Sequence, residues 1–341
     1  MKKLISLVLA LVMVLALAAC GQSAAPAAPA ATVDAATAAP ADPGAAPAEE
    51  QSFVVGICQL VQHPALDQAT QGFKDKLTEL LGDRVSFVEQ NASGDPATCS
   101  VICGQFVSDE VDLIMANATP ALQAAVAATN EIPILATSIT EYGVALGLEL
   151  NAGTTGINVS GTSDLAPLDQ QAQMIVDLFP EVKSVGMLFC SGEANSRYQV
   201  DEVGRMLTEK GLTVTEFSFA DSNDVSSVTQ TACSECELIY IPTDNTAASC
   251  VEAINNVALP AGIPVIAGEE GICAGCGVAT LSISYYDIGA ATAEMAFDIL
   301  VNGADVSAMP IAYAPQFVKK FNPQICETLG VTIPDDYVAI E

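Results

Sequence analysis

Tryptophan is absent from this 341-residue chain, histidine occurs once, and Lys plus Arg number 11 against 41 Asp plus Glu. Each shortage excludes something. A formal net charge of -30 removes nucleic acid from the list of partners, because phosphate binding needs clusters of Lys and Arg. With His63 as the sole imidazole, no histidine pair can hold a metal, and any general base of that type would act alone. No GxSxG elbow, HExxH helix or Walker glycine loop occurs, so the common hydrolase, metalloprotease and nucleotide-binding signatures are missing. The sequence predicts a binding protein, not an enzyme, with no cofactor and no metal.

What is present begins with an address. Lys2 and Lys3 precede an apolar run from Leu4 to Ala18, too short for an ordinary membrane span and flanked like a secretory signal. It ends in "LAAC", Leu17 to Cys20, before Gly21, which resembles the bacterial lipoprotein cleavage box; the resemblance implies that residues 1–20 form the leader and that Cys20 is lipidated. A plain signal peptide cut near Ala19 is the alternative. Residues 21–51 are mostly Ala and Pro, a composition that cannot bury a core and reads as an extended tether.

From Phe53 the chain alternates short β-rich runs with helical segments. "FVVGIC", "VSFVEQ", "VDLIMA" and "IPILAT" form one set, and "VKSVGMLF", "TVTEFSF", "LIYIP" and "IPVIAG" a second. Strand starts fall 21 to 32 residues apart in the first set and 24 to 31 in the second. The prediction is an α/β fold of two doubly wound parallel-sheet lobes in tandem, joined by a multi-strand hinge with a ligand cleft between them. The strand-like "ATLSISYY" and a helix from 287 to 303 lead back towards the first lobe. The expected boundaries are 52–158 plus 283–309 for lobe one, and 159–282 plus 310–341 for lobe two.

In open parallel sheets, ligands sit beyond the carboxyl ends of the strands. The residues at those ends are polar throughout. Gln59 and His63 follow the first strand, Thr119 the third and Ser138 the fourth; Ser163 and Asp164 precede a helix. In the second set, Asn195 and Ser196 follow the first strand, Asp244 and Asn245 the third, and Glu269 and Glu270 the fourth. For a zwitterionic ligand, Thr119 and Ser138 with neighbouring amides suit a carboxylate, and Asp244 suits an ammonium, with Glu270 or Asp164 in reserve. Helix capping competes for Asp244, Ser163, Asp164, Asn195 and Ser196, with Asn245 able to relieve Asp244 of that task. Tyr142, Tyr285 and Tyr286 are the candidates for a ring-stacking wall.

At these residues the chain also resembles a known family. "QLVQHPALD", "NATPALQAAVA", "GTSDLAPLDQQAQMI", "FPEVKSVGMLF", "EANS", "IPTDNTAAS" and "IPVIAGEEG" followed by "ISYYDIG" look like the substrate-binding lipoproteins of ABC importers, the subfamily associated with tryptophan and tyrosine uptake. The resemblance covers residues 53–335. It implies the periplasmic-binding-protein fold of the first type, capture of an amino acid by lobe closure, and delivery to a permease with a cytoplasmic ATPase, the protein being a monomer anchored outside the cytoplasm by its lipid. The same clamp also serves branched-chain amino acids, sugars and nucleosides.

Eleven cysteines, with "CSEC" at 233–236 and "CAGC" at 273–276, raise a structural zinc or redox centre as another class of function. One shared zinc is excluded by topology, since Cys236 precedes the third strand of the second set and Cys273 follows the fourth, at opposite ends of a sheet. Reduced core cysteines or one local disulfide are the remaining readings.

Overall fold

Five parallel strands and the helices between them build the first lobe, in a computed structural model that describes residues 51–341. The leader of residues 1–20, Cys20 and the tether as far as residue 50 lie outside the described residues. The order is β1 (Phe53–Gln59), α1 (Pro64–Leu81), β2 (Val85–Asn91), α2 (Pro96–Ser108), β3 (Leu113–Asn117), α3 (Thr119–Ala128), β4 (Ile134–Ile139), α4 (Tyr142–Leu146) and β5 (Val159–Ser163). Side chains of β1 alternate between two cores. Val55 and Ile57 pack with Phe73 and Leu77 of α1, whereas Cys58 joins Ile102 and Phe106 of α2 on the other face. Each large side chain buried in this way contributes about 1.5–3 kcal/mol.

The second lobe repeats the plan. It runs α5 (Leu168–Leu178), β6 (Ser184–Cys190), α6 (Ala194–Glu209), β7 (Thr213–Phe219), α7 (Val225–Glu235), β8 (Leu238–Ile241), α8 (Asn245–Ser249), α9 (Val251–Ala258), β9 (Val265–Ala267), α10 (Glu270–Cys276) and β10 (Ala279–Ser282). The chain then returns through α11 (Tyr285–Asn302) and β11 (Ala312–Tyr313), and finishes with β12 (Val318–Phe321), α12 (Pro323–Leu329) and β13 (Val338–Ala339). The first sheet has the order β11-β5-β4-β3-β1-β2 and the second β13-β12-β10-β9-β8-β6-β7. All pairs are parallel except β10 with β12. Both lobes are thus doubly wound, with the strand order reversing between β1 and β3 and again between β6 and β8.

The chain passes between sheets three times, after β5, after β10 and after β11. These crossings form the hinge. The expected boundaries need correction here: β5 and β11, assigned by the sequence to lobe two, hydrogen-bond into the first sheet. The sequence "VSGTS" carries no run of large apolar residues, so it does not announce a strand. It is nonetheless buried throughout, with Ser160 Oγ donating to the Met309 carbonyl at 2.9 Å and Thr162 Oγ1 lying 2.8 Å from Thr292 Oγ1, both partners far along the chain. The segment "ATLS" remains the fifth strand of lobe two, and the returning helix begins at Tyr285, slightly earlier than expected.

Packing of α1 on α11 fixes what their N-termini present. A Cβ on Gly289 would overlap the Ala69 carbonyl oxygen, and one on Gly72 would overlap that of Tyr286, so the two backbones touch directly. His63 stands at the N-cap of α1 and Tyr285 is the first residue of α11. The close crossing therefore holds these two side chains on one front.

Candidate functional site

Lobe one builds its share of the cleft by first immobilising the start of α1. Gln59, at the end of β1, donates to the Val61 carbonyl at 2.9 Å and to Asp67 Oδ1 at 2.7 Å, and accepts from Thr70 Oγ1 at 2.6 Å. Asn117, at the end of β3, donates to the Leu66 carbonyl at 2.8 Å and to Thr70 Oγ1 at 2.9 Å. The Gln59 amide is thereby engaged within the lobe. It positions the helix, a different role from the ligand contact expected of it. Pro64 occupies the first helical position, where its missing N–H leaves nothing unpaired, and the His63 side chain makes no capping bond. Its ring instead crosses to lobe two, with Nε2 3.2 Å from Asn245 Oδ1.

Two non-glycine residues at adjacent strand ends have left-handed backbone. Ala118 has φ 88° just before α3, and Ser138 has φ 58° at an irregularity in the pairing of β4 with β5. Such conformations cost about 1–3 kcal/mol and concentrate where backbone must be aimed at something. The neighbouring hydroxyls of Thr119 and of Ser138 itself are both buried without a hydrogen-bond partner.

Asp164, one residue past β5, is 4% exposed. Its Oδ2 accepts from the Tyr285 hydroxyl at 3.0 Å, and its Oδ1 is buried without a partner. Burial pushes its pKa up to about 6, against the hydroxyls of Tyr285 and Thr140, which lower it. Ser163 is engaged in its own turn, donating to the Thr140 carbonyl at 2.9 Å and accepting from the Leu165 amide at 3.1 Å.

In lobe two the carboxylates sort differently from the sequence expectation. Asp244 is the N-cap of α8, accepting from the Ala247 amide at 2.8 Å, and its other oxygen accepts from the Cys190 amide at 2.6 Å. Asn245 does not relieve it of that role, because Asn245 lies in the helix and is turned towards His63 and Glu193. Asp244 thus has both oxygens bound by backbone, and its assignment to an ammonium is corrected to helix capping. Burial, with the neighbouring Glu193 charge second, raises its pKa. Glu270 pairs with Lys320 at 2.7 Å and accepts from the Ser282 hydroxyl at 2.6 Å, which assigns it to the hinge. Glu269, its neighbour, caps α10 through the Gly271 and Ile272 amides and is pushed up to about 7 by burial.

Glu193 was not singled out from the sequence, yet it organises this lobe's contribution. Its Oε2 accepts from the Asn245 amide at 3.0 Å, Asn245 Nδ2 at 2.7 Å and Asn195 Nδ2 at 3.1 Å; its Oε1 accepts from the Thr246 amide at 2.9 Å and hydroxyl at 2.8 Å. A glutamate just before a helix reads as dipole complementarity, which hid it. Ser196 is fully buried and helps to hold Asp244. The tyrosines divide as well. Tyr142 lies under the sheet, donating to the Ala136 carbonyl at 2.9 Å, and Tyr286 is exposed against Asp75, leaving Tyr285 alone at the cleft.

The cluster has one defining property. His63 Nδ1, Asn117 Oδ1, Thr119 Oγ1, Ser138 Oγ, Asp164 Oδ1 and Asn195 Oδ1 are all buried and unpartnered, and all lie at or just beyond strand ends that face the junction of the lobes. Buried polar atoms are normally paired, so this concentration makes the junction the candidate site. Asp164, Glu193, Asp244 and Glu269 are buried there, while no Lys or Arg among the described residues is buried. On the side away from the hinge, the ends of β1, β2, β6 and β7 enclose a cavity of about 230 Å³ whose apolar lining includes Leu60, Val61, Pro120 and Cys190.

The CxxC segments lie apart from this cluster. Cys236 sits just before β8 and Cys273 beyond β9, at opposite ends of the sheet, and "CAGC" closes helix α10. All ten cysteines of the described residues are free thiols, eight of them buried.

A family model described as ABC transporter substrate binding protein matches residues 54–340. The tyrosine-binding protein of Clostridioides difficile (strain R20291) is 35% identical over 260 residues, 75% of this chain and 75% of that one. Among solved structures, an ABC domain from Streptococcus pneumonia in complex with L-Trp superposes with a TM-score of 0.80 at 31% identity, covering 84% of this chain and 97% of that one. The ligand-free, open structure of a substrate binding protein with adhesive properties from Clostridium difficile gives 0.64 at 36% identity, covering 85% of this chain and all of that one.

Proposed function

This chain belongs to the ABC transporter substrate binding protein family, and from that premise we propose that it captures an aromatic amino acid between its lobes and delivers it to the permease of an ABC importer. Substrate-binding proteins of these importers work outside the cytoplasm, and no helix among the described residues is long and apolar enough to cross a membrane. In this reading the protein acts as a monomer held at the membrane by lipid on Cys20, and the permease draws its energy from a cytoplasmic ATPase.

The observation that carries the ligand class is the buried Asp164 carboxylate, unmatched by any buried Lys or Arg and flanked by the unpartnered hydroxyls of Thr119 and Ser138. A buried carboxylate without a cation is unfavourable by several kcal/mol unless it takes up a proton or a counter-charge. An α-amino acid supplies the counter-charge, and its carboxylate can accept from the hydroxyls and amides at the starts of the facing helices. An aromatic side chain is the choice most consistent with the two relatives, one named for tyrosine and one crystallised with tryptophan. Similarity also supports closure as the mechanism, since this structure matches the L-Trp complex more closely than the open relative, although the open one is more similar in sequence.

Screening the twenty amino acids by thermal shift tests the proposal. A ligand at a hundred times its Kd stabilises by about 2.7 kcal/mol, and we expect tyrosine, tryptophan or phenylalanine to give the largest rise in melting temperature. Scattering should then show a smaller radius of gyration with that ligand than without it. Stabilisation by a sugar or nucleoside and by none of these amino acids would replace the ligand class. For the anchor, Cys20→Ser should move the protein from the detergent-rich to the aqueous phase in partition assays; unchanged partitioning would sink the lipid assignment.

A further inference from the structure

We propose that His63 reads a hydrogen-bond donor on the ring of the ligand through its Nδ1 atom, and that Glu193, acting through Asn245, sets that atom as an acceptor. The inference rests on the aromatic amino-acid reading above and adds the group that selects among such ligands.

The chain of hydrogen bonds has only one polarity. A carboxylate only accepts, so the Asn245 end facing Glu193 Oε2 at 2.7 Å must be the NH2. Its carbonyl oxygen is thereby turned to His63 Nε2 at 3.2 Å, and a carbonyl only accepts, so Nε2 must carry the proton. Desolvation lowers the pKa of this ring, against the Asn245 hydrogen bond and the charges of Glu193 and Asp67, which act the other way. A neutral imidazole protonated on Nε2 leaves a bare lone pair on Nδ1. That atom is buried without a partner in a side chain only 6% exposed.

The donor that meets it differs from the group that meets Asp164. His63 follows β1 and Asp164 follows β5, and the sheet order β1-β3-β4-β5 puts three strand spacings between them, roughly 14 Å at about 4.8 Å each. One ammonium cannot serve both. A ligand with polar groups at its two ends and a ring between them can, and Leu60 and Val61, just ahead of His63 in the chain, line with Pro120 the cavity that Glu193 also borders. The phenol O–H of tyrosine and the indole N–H of tryptophan supply such a donor, and the ring of phenylalanine supplies none. An acceptor left buried and unpaired by phenylalanine corresponds to a preference for tyrosine of about thirtyfold.

A chain with a single histidine makes the test direct. In full-length protein labelled with 15N-histidine and saturated with L-tyrosine, NMR should show one tautomer, with Nε2 protonated and Nδ1 bare. An Nδ1–H tautomer, an imidazolium or a mixture would overturn the inference. Calorimetry should show tyrosine and tryptophan preferred to phenylalanine, and in His63→Leu the ratio of tyrosine to phenylalanine affinity should fall to about three or less. Glu193→Gln should yield a mixed tautomer in the folded protein; a merely structural role for Glu193 would lower stability and leave the tautomer unchanged. Equal wild-type affinities for the three amino acids would defeat the role of His63 and leave the ligand class intact. If none of the three binds, both fail.

Discussion

Replacing Asp164 by Asn should reduce amino-acid affinity by about thirtyfold or more while the stability of the ligand-free protein holds or rises. Truncating one partner of a buried charge pair commonly costs about 2–5 kcal/mol, and each 1.4 kcal/mol is about tenfold in Kd. Without ligand the same carboxylate is unmatched in its burial, so a neutral amide of equal size removes an unfavourable charge. The opposite signs of the two effects separate ligand recognition from a structural role. The pH dependence follows from the same group. Burial lifts Asp164 to about 6, and an ammonium beside it pulls that value down. Below about pH 6 the ammonium must therefore displace a proton, so affinity should fall as pH drops through this window and be fully present above it. Burial also lifts Glu269 to about 7 and Asp244 to about 8, so the measurement is the difference between the wild-type and Asp164→Asn profiles from pH 5 to 8. Superimposable profiles, or an affinity unchanged in the variant, would remove Asp164 from the ammonium site.

Gly289→Ala should be among the most damaging single methyl additions in lobe one. The added Cβ would overlap the Ala69 carbonyl oxygen, which belongs to the backbone of α1 and cannot rotate away. The helices must separate, and Phe73 and Leu77 on α1 then lose contact with the sheet. Overpacking of a tight core costs about 1–3 kcal/mol and occasionally more; with two backbones in contact we expect about 3 kcal/mol, a fall in Tm of roughly 6–12 °C. Denaturant unfolding with an unchanged m-value would measure it. A loss below about 0.5 kcal/mol would mean that the helices do not meet as described. Because α1 and α11 present His63 and Tyr285, ligand affinity should fall in the same variant.

The architecture was legible in the sequence wherever a strand carries large apolar or aromatic residues, in a run or in alternation. The eight runs that start at residues 53, 85, 111, 132, 182, 213, 237 and 263 all contain strands of the two sheets. β5 was hidden because its burial is achieved with Val, Ser, Gly and Thr, and the hydroxyls of Ser160 and Thr162 bond to groups on and beyond α11. Whether a polar residue at a strand end faces a ligand or the protein is equally non-local. Gln59 and Asp244 looked like binding groups by position, and their bonds to Thr70 and to the Cys190 amide depend on neighbours in space. Thr119, Ser138 and Asp164 occupy similar positions and retain unpaired atoms, a distinction that no local pattern encodes.

The three passages of the chain between the lobes also order events in time. The first sheet is not complete until β11 arrives, and α1 has no α11 to pack against until about 285 residues have been made. The half synthesised first therefore stays incomplete while β6 to β10 of the second are made. Such long-range closure makes for slow folding and a prolonged exposure of unpaired strand edges. A chain emerging from N to C through a membrane would hold β1 to β5 as an unfinished sheet while α5 to β10 follow, so holding factors outside the cytoplasm would meet the exposed edge of β5 before α11 and β11 cover it.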